Sequence, residues 1–143
     1  MADVAASAPF ILTSDIGELA ALDQWFSGQV VGHRLPDGPA AELRVCLHEI
    51  VANIILHGSV PGQQCVISVR AHVGEAEIAL VVEDNARPFN PLEKLETNVA
   101  ETLDDAPIGG LGLHLVRGFT DRLEYEQQDG RNRLTLFRRL SGA

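Results

Sequence analysis

Residues 65–73 read CVISVRAHV and residues 75–83 read EAEIALVVE. Both alternate apolar and polar side chains, the two-residue period of a strand with one apolar face. A short segment around Gly74 separates them, so the pair is read as an antiparallel hairpin. No other feature restricts the fold as strongly, because an apolar sheet face has to be covered. The segments able to cover it carry the helical period.

Leu19, Leu22, Phe26 and Val30 fall on one helical face, after an Asp15-x-x-Glu18 start similar to a capping box. Beyond the loop at 33–39, Pro39 suits the first turn of a second helix. That helix is predicted to run to about Leu56 and to stop near Gly58. A third helix is predicted to begin near Gly110 to Gly112, with Leu115, Val116, Phe119 and Leu123 inward. Residues 10–13 read as a short edge strand, and 125–128 with 133–139 as a hairpin around Asp129-Gly130. Residues 84–110 read as loop, with Pro88, Pro91 and Pro107. Helices beside mostly antiparallel strands predict a two-layer α+β sandwich, one domain over residues 9–140.

Composition excludes several functions. No run of about 18 apolar residues occurs, so no membrane-spanning segment is expected. The N-terminus lacks a basic stretch followed by an apolar one, so no secretory signal is expected. Cys46 and Cys65 lie in apolar segments without metal spacing, and are expected as reduced core thiols of a cytoplasmic protein. The net charge of −9, with Lys94 the single lysine, argues against a nucleic-acid partner. Arg131, Arg133, Arg138 and Arg139 are read as a solvated strand face. An acidic chain can still hold an anion through backbone N–H groups, helix N-termini or a bridging cation.

The second helix contains CLHEIVANIILHG at 46–58. A helical zinc site would need a second histidine where Ala52 stands, so His48-Glu49 does not begin one. With Leu43 at zero, Leu47, Ile50 and Ile54 form the core stripe, within about 40°. Glu49, Asn53 and His57 then form a row at about 240°, 280° and 320° along its edge. A carboxylate and an amide one turn apart can hold a hydrated Mg²⁺. They can equally be the polar edge of an amphipathic helix. Asp84 ends the second strand, where a carboxylate can accept from an exocyclic amine or merely start a turn. Ile108-Gly109-Gly110-Leu111-Gly112-Leu113 is a glycine-rich entry to a helix, suited to close approach of phosphates. It matches neither a dinucleotide fingerprint nor a Walker A loop.

In order, these three segments resemble the GHKL, or Bergerat-fold, ATPase superfamily. Its N box looks like Glu-x-x-x-Asn-x-x-x-His-Gly, here Glu49, Asn53, His57 and Gly58. Its first glycine box resembles the run from Asp84 through Ala86 and Phe89 to Pro91. Its second is similar to the run Gly109, Gly110, Leu111, Gly112, Leu113 and onward to Val116. A sensor histidine kinase would need a phosphoacceptor helix pair, and gyrase-, chaperone- or repair-type members a second domain. The free-standing unit therefore looks like the anti-sigma-factor serine kinases of bacteria.

That resemblance implies ATP and Mg²⁺ as cofactors. It implies that Asp84 bonds the adenine amine, that Asn53 ligates Mg²⁺, and that Glu49 is the catalytic base or orienter for a serine hydroxyl. His57 would orient its neighbours, and Gly110 and Gly112 would close over the phosphates. Thr135 would touch the adenine edge through water. Residues 93–107 would form the ATP lid, short and acidic, so that Mg²⁺ offsets repulsion with the triphosphate. The implied partners are a STAS-type anti-anti-sigma protein and a sigma factor or similar regulator, with a homodimer expected.

One position departs from the pattern: Ala86 stands where the family carries glycine. A left-handed backbone there would cost alanine on the order of 1 kcal/mol, whereas a need for smallness alone tolerates the methyl. Two readings compete: a serine kinase that also sequesters a regulator, and a nucleotide-binding module that holds a partner without phosphotransfer.

Overall fold

The computed structural model describes residues 5–6, 8–58, 60–88, 90–92 and 108–140, and of residues 5–6 and 108–111 the backbone alone. The elements are β1 (Ala5–Ala6), β2 (Phe10–Thr13), α1 (Leu19–His33), α2 (Asp37–His57), β3 (Val66–Val73), β4 (Glu77–Asp84), α3 (Ile108–Phe119), β5 (Arg122–Gln128) and β6 (Arg131–Arg139). The sheet order is β1-β3-β4-β6-β5, every pairing antiparallel. β2 also pairs with β3, further along the same edge as β1, so the two short strands form one interrupted edge.

Both hairpins form as expected. In β3, Ile67, Val69 and Ala71 point inward, and in β4 Ile78, Leu80, Val82 and Asp84 do so. Asp129 and Gly130 both take left-handed φ, 56° and 75°, as a two-residue hairpin turn requires. The inner sheet face is covered by Leu22 and Phe26 of α1, by Leu43, Leu47, Ile50 and Val51 of α2, and by Leu113 and Val116 of α3. The helices lie on that one face, so the two-layer α+β sandwich predicted from the sequence is the fold observed.

Several local expectations need correction. Asp15 does accept from Gly17 N, at 2.9 Å, but it caps a short 3₁₀ turn, Ile16–Glu18, ahead of α1. The Glu18 carboxylate reaches back to Thr13, accepting from its N (3.1 Å) and Oγ1 (2.7 Å), so the capping box is not closed. α3 begins at Ile108, earlier than predicted, because the glycines already take helical backbone. Its inward residues are Leu113, Val116 and, half-buried against the core, Phe119, while Leu115 is exposed and Leu123 belongs to β5. The C-terminal arginines do not share one solvated face. Arg133 pairs with Glu83 and Glu126, whereas Arg138 pairs with Glu42 of α2 and donates to Phe119 O at 2.8 Å. Arg138 thereby ties the end of β6 to both helices.

Cys46 and Cys65 are buried and unpaired. Burial, then the nearby Glu42 carboxylate, pushes the Cys46 thiol up to about 12, so it is inert at neutral pH. No described helix is long and apolar enough to cross a membrane.

Candidate functional site

α2 is the spine of the site. It is amphipathic toward the sheet, and its Glu49–Asn53–His57 row is left at the margin of the core: Glu49 and Asn53 half-buried, His57 exposed. Two remote segments come against this margin.

The first is the N-terminal half of α3. Gly112 is buried against Glu49, and a Cβ built on it would stand 2.7 Å from Glu49 Cδ and closer still to Oε2. A side chain at 112 would therefore displace the Glu49 carboxylate from its place. One turn along α2, Asn53 Nδ2 is buried and has no hydrogen-bond partner among the described residues. A buried amide end left open is expensive unless something binds it. Rotating the amide by 180° would present oxygen at the same place, so the position suits either a phosphate oxygen or a cation. The α3 N-terminus adds backbone N–H donors and positive potential nearby.

The second segment is the turn after β4. Asp84 is 6% exposed, and its Oδ1 accepts from Ala86 N at 2.9 Å and from Asn132 Nδ2 at 2.8 Å. Burial raises its pKa above the ordinary carboxylate range, and those two donors pull it partly back. Asn85 holds the turn to β3, accepting from Val66 N (2.7 Å) and donating to Gln64 O (3.1 Å). Arg87 N donates to Gly58 O at 3.1 Å, joining this turn to the end of α2. Gly58 has φ −97°, so its role is not conformational. A Cβ there would meet Ala86 Cβ at 2.7 Å and Ile54 O at 2.7 Å.

The Ala86 question is answered by the same contact. Among the described residues, the non-glycines with left-handed φ are Arg34 and Asp129, so alanine is not strained at 86. Its methyl is buried and packs on the space that Gly58 leaves open.

Of the residues singled out in the sequence, Glu49, Asn53 and Gly112 come together, and Asp84, Ala86 and Gly58 come together, along one margin of α2. Leu113 is a core contact of α3. Gly109, Gly110 and Leu111 lie in the first turns of α3, where the backbone alone is described. Phe89 and the lid segment 93–107 lie outside the described residues. Thr135 does not join the site. It pairs in register with Val81, three residues from Asp84 in β4, and so points to the opposite sheet face. The residue opposite Asp84 is Asn132, which sequence reasoning missed. Its signal was present: Asn132, Leu134 and Leu136 alternate, which places a buried asparagine on the core face.

The arrangement is an antiparallel sheet backed by helices, with Glu49 of α2 against Gly112 of α3 and the Asp84–Arg87 turn against Gly58 at the end of α2. The sequence profile of the histidine kinase-like ATPase domain family matches residues 12–138, and the chain belongs to that family. Among curated relatives, the serine/threonine-protein kinase BtrW of Bordetella bronchiseptica is 37% identical over 94 residues, 66% of each chain. An anti-sigma F factor of Clostridium perfringens is 25% identical over 101 residues, 70% of this chain and 72% of that one. The serine-protein kinase RsbW of Bacillus pumilus is 27% identical over 95 residues, 62% of this chain and 59% of that one. The chain thus spans about two thirds of these relatives. The fold is shared with the RsbU and RsbW domains of a Mycobacterium tuberculosis protein, at TM-score 0.65 and 14% identity, covering 96% of this chain and 34% of that one.

Proposed function

We propose that this chain is an ATP-dependent protein serine kinase of the anti-sigma type, acting in the cytoplasm. Its protein substrate is a serine on a STAS-type antagonist, and it also holds a sigma factor or a similar regulator, as a homodimer. The observation that carries this reading is the meeting of Glu49 with Gly112, one turn from the open amide of Asn53. Kinase and anti-sigma relatives support it.

The residues present fit Mg-ATP. Asp84 accepts the exocyclic amine of the base. Asn53 would supply an amide oxygen to the metal, and the unpaired N–H groups of the first turn of α3, Gly109 and Gly110 among them, would donate to the phosphates. Mg²⁺ when bound neutralises charge on the transferring phosphoryl group. Glu49 orients the serine hydroxyl and takes its proton as the oxygen bonds to phosphorus and the bond to the leaving phosphate oxygen breaks. His57, at the end of the α2 row, orients its neighbours and does not react.

The test uses radiolabelled ATP and a STAS-domain protein. Glu49→Gln should keep ATP affinity and lower label transfer by about 10²–10⁴-fold. Unchanged transfer would remove Glu49 from the chemistry. A wild-type complex with the STAS protein but no label transfer would favour the alternative, a nucleotide-binding module that holds its partner without phosphotransfer.

A further inference from the structure

Behind Asp84 lies a buried polar cluster that a simple turn does not require. Asn132, 6% exposed, donates from Nδ2 to Asp84 Oδ1 at 2.8 Å and approaches Ala86 O and Arg87 O at 3.2 and 3.3 Å. Its Oδ1 accepts from Tyr125 Oη at 2.6 Å. These contacts fix which way the carboxamide points. A flipped amide would set its carbonyl oxygen against a carboxylate and two backbone carbonyls, and would leave the tyrosine hydroxyl facing an NH₂ group. The oriented amide, with Ala86 N, in turn holds Asp84 Oδ1 from two sides. Rotation of the carboxylate about Cβ–Cγ would break both bonds. Oδ2 receives no donor from the described residues and is the oxygen left to meet a ligand.

We propose that Asn132, oriented by Tyr125, is a positioning residue that locks the rotation of the Asp84 carboxylate and so determines which purine edge the site accepts. This rests on the ATP reading above. A locked, acceptor-only Oδ2 favours the amine of adenine and repels the 6-oxo oxygen of hypoxanthine. Without the lock the carboxylate turns, and a buried carboxyl stripped of one donor protonates more readily. Its O–H then serves the oxo group as well. The discrimination should therefore fall, and not merely the affinity.

The experiment measures binding of ATP and of inosine triphosphate to the full chain, as wild type, Asn132→Ala and Tyr125→Phe. Wild type should prefer ATP. The preference should fall by about tenfold in Asn132→Ala and by a smaller factor in Tyr125→Phe, which removes one hydroxyl and keeps the ring. Should Asn132→Ala fail to fold, Tyr125→Phe carries the test. A preference that survives in the folded variants, even with both affinities lowered in parallel, assigns the cluster to stability and overturns the inference alone. Wild-type protein that binds neither nucleotide overturns the ATP reading and this inference with it.

Discussion

Two asparagines mark the two ends of the candidate site, and they are treated oppositely by the fold. Asn132, beside the strand-end carboxylate, has both ends of its amide engaged. Asn53, on the helix beside Glu49, keeps a buried amide nitrogen with no partner among the described residues. The first end is finished before any ligand arrives: Asp84, Ala86, Arg87 and Gly58 are tied to one another by hydrogen bonds and a tight contact. The second end is incomplete. In a folded protein an unmet buried polar group marks a place where something else completes the bonding. On the ATP reading proposed above, the finished end suits a rigid base and the incomplete end suits phosphate and metal.

The largest expected effect breaks the open end without touching the closed one. Gly112→Ala would push into the Glu49 carboxylate, which is the tip of a flexible side chain and so can yield. Phosphotransfer should fall by about 100-fold, because a displacement of that scale ruins alignment, while the melting temperature changes little. A large loss of stability instead would show that Gly112 is a packing residue and not a guard of Glu49.

The second effect sets the asparagines against each other in urea unfolding. Asn132→Ala removes the hydrogen bonds that Asn132 makes with Asp84 and with the Tyr125 hydroxyl, and should cost about 1–3 kcal/mol. Asn53→Ala removes an amide whose nitrogen was already unpaired, and should cost nothing or stabilise slightly. The same variant should lose the Mg²⁺-dependent part of ATP affinity. Equal destabilisation by the two changes would erase the contrast drawn between the ends.

The smallest effect concerns charge. Asp84 has its pKa raised in the folded state by burial, so the native chain binds more protons than the unfolded one between the ordinary carboxylate range and the raised value. Its contribution to stability therefore falls as pH rises through that window. Asp84→Asn removes the ionisation and keeps an oxygen for Ala86 N and the Asn132 amide. It should melt higher than wild type at neutral pH, with the gain shrinking as pH falls toward the ordinary carboxylate range. Its ATP affinity should drop, since an NH₂ group would face the base. A variant that melts lower at neutral pH would mean that the carboxylate charge is itself stabilising.

Much of the molecule was legible from one chain. Periods of two and of 3.6 mark β3, β4, α1 and α2, because side-chain direction along an element is a local property. Glu49, Asn53 and Asp84 were legible as polar residues on the margin or at the end of apolar elements, and only the ordered resemblance to the Bergerat-fold boxes suggested roles for them. What stayed hidden depends on contacts between remote segments. Gly58 looked like a helix stop and is one, but that it also provides a clearance for Ala86 could not be read from the sequence. Thr135 looked like a site residue and lies on the other sheet face, while Asn132, 48 residues from Asp84, takes the place beside it. Strand register and helix approach are set by how the whole inner face packs, and a one-residue slip would exchange Asn132 for its neighbour. The sequence by itself therefore determined the elements and their apolar faces, and the tertiary structure alone decided which polar groups meet.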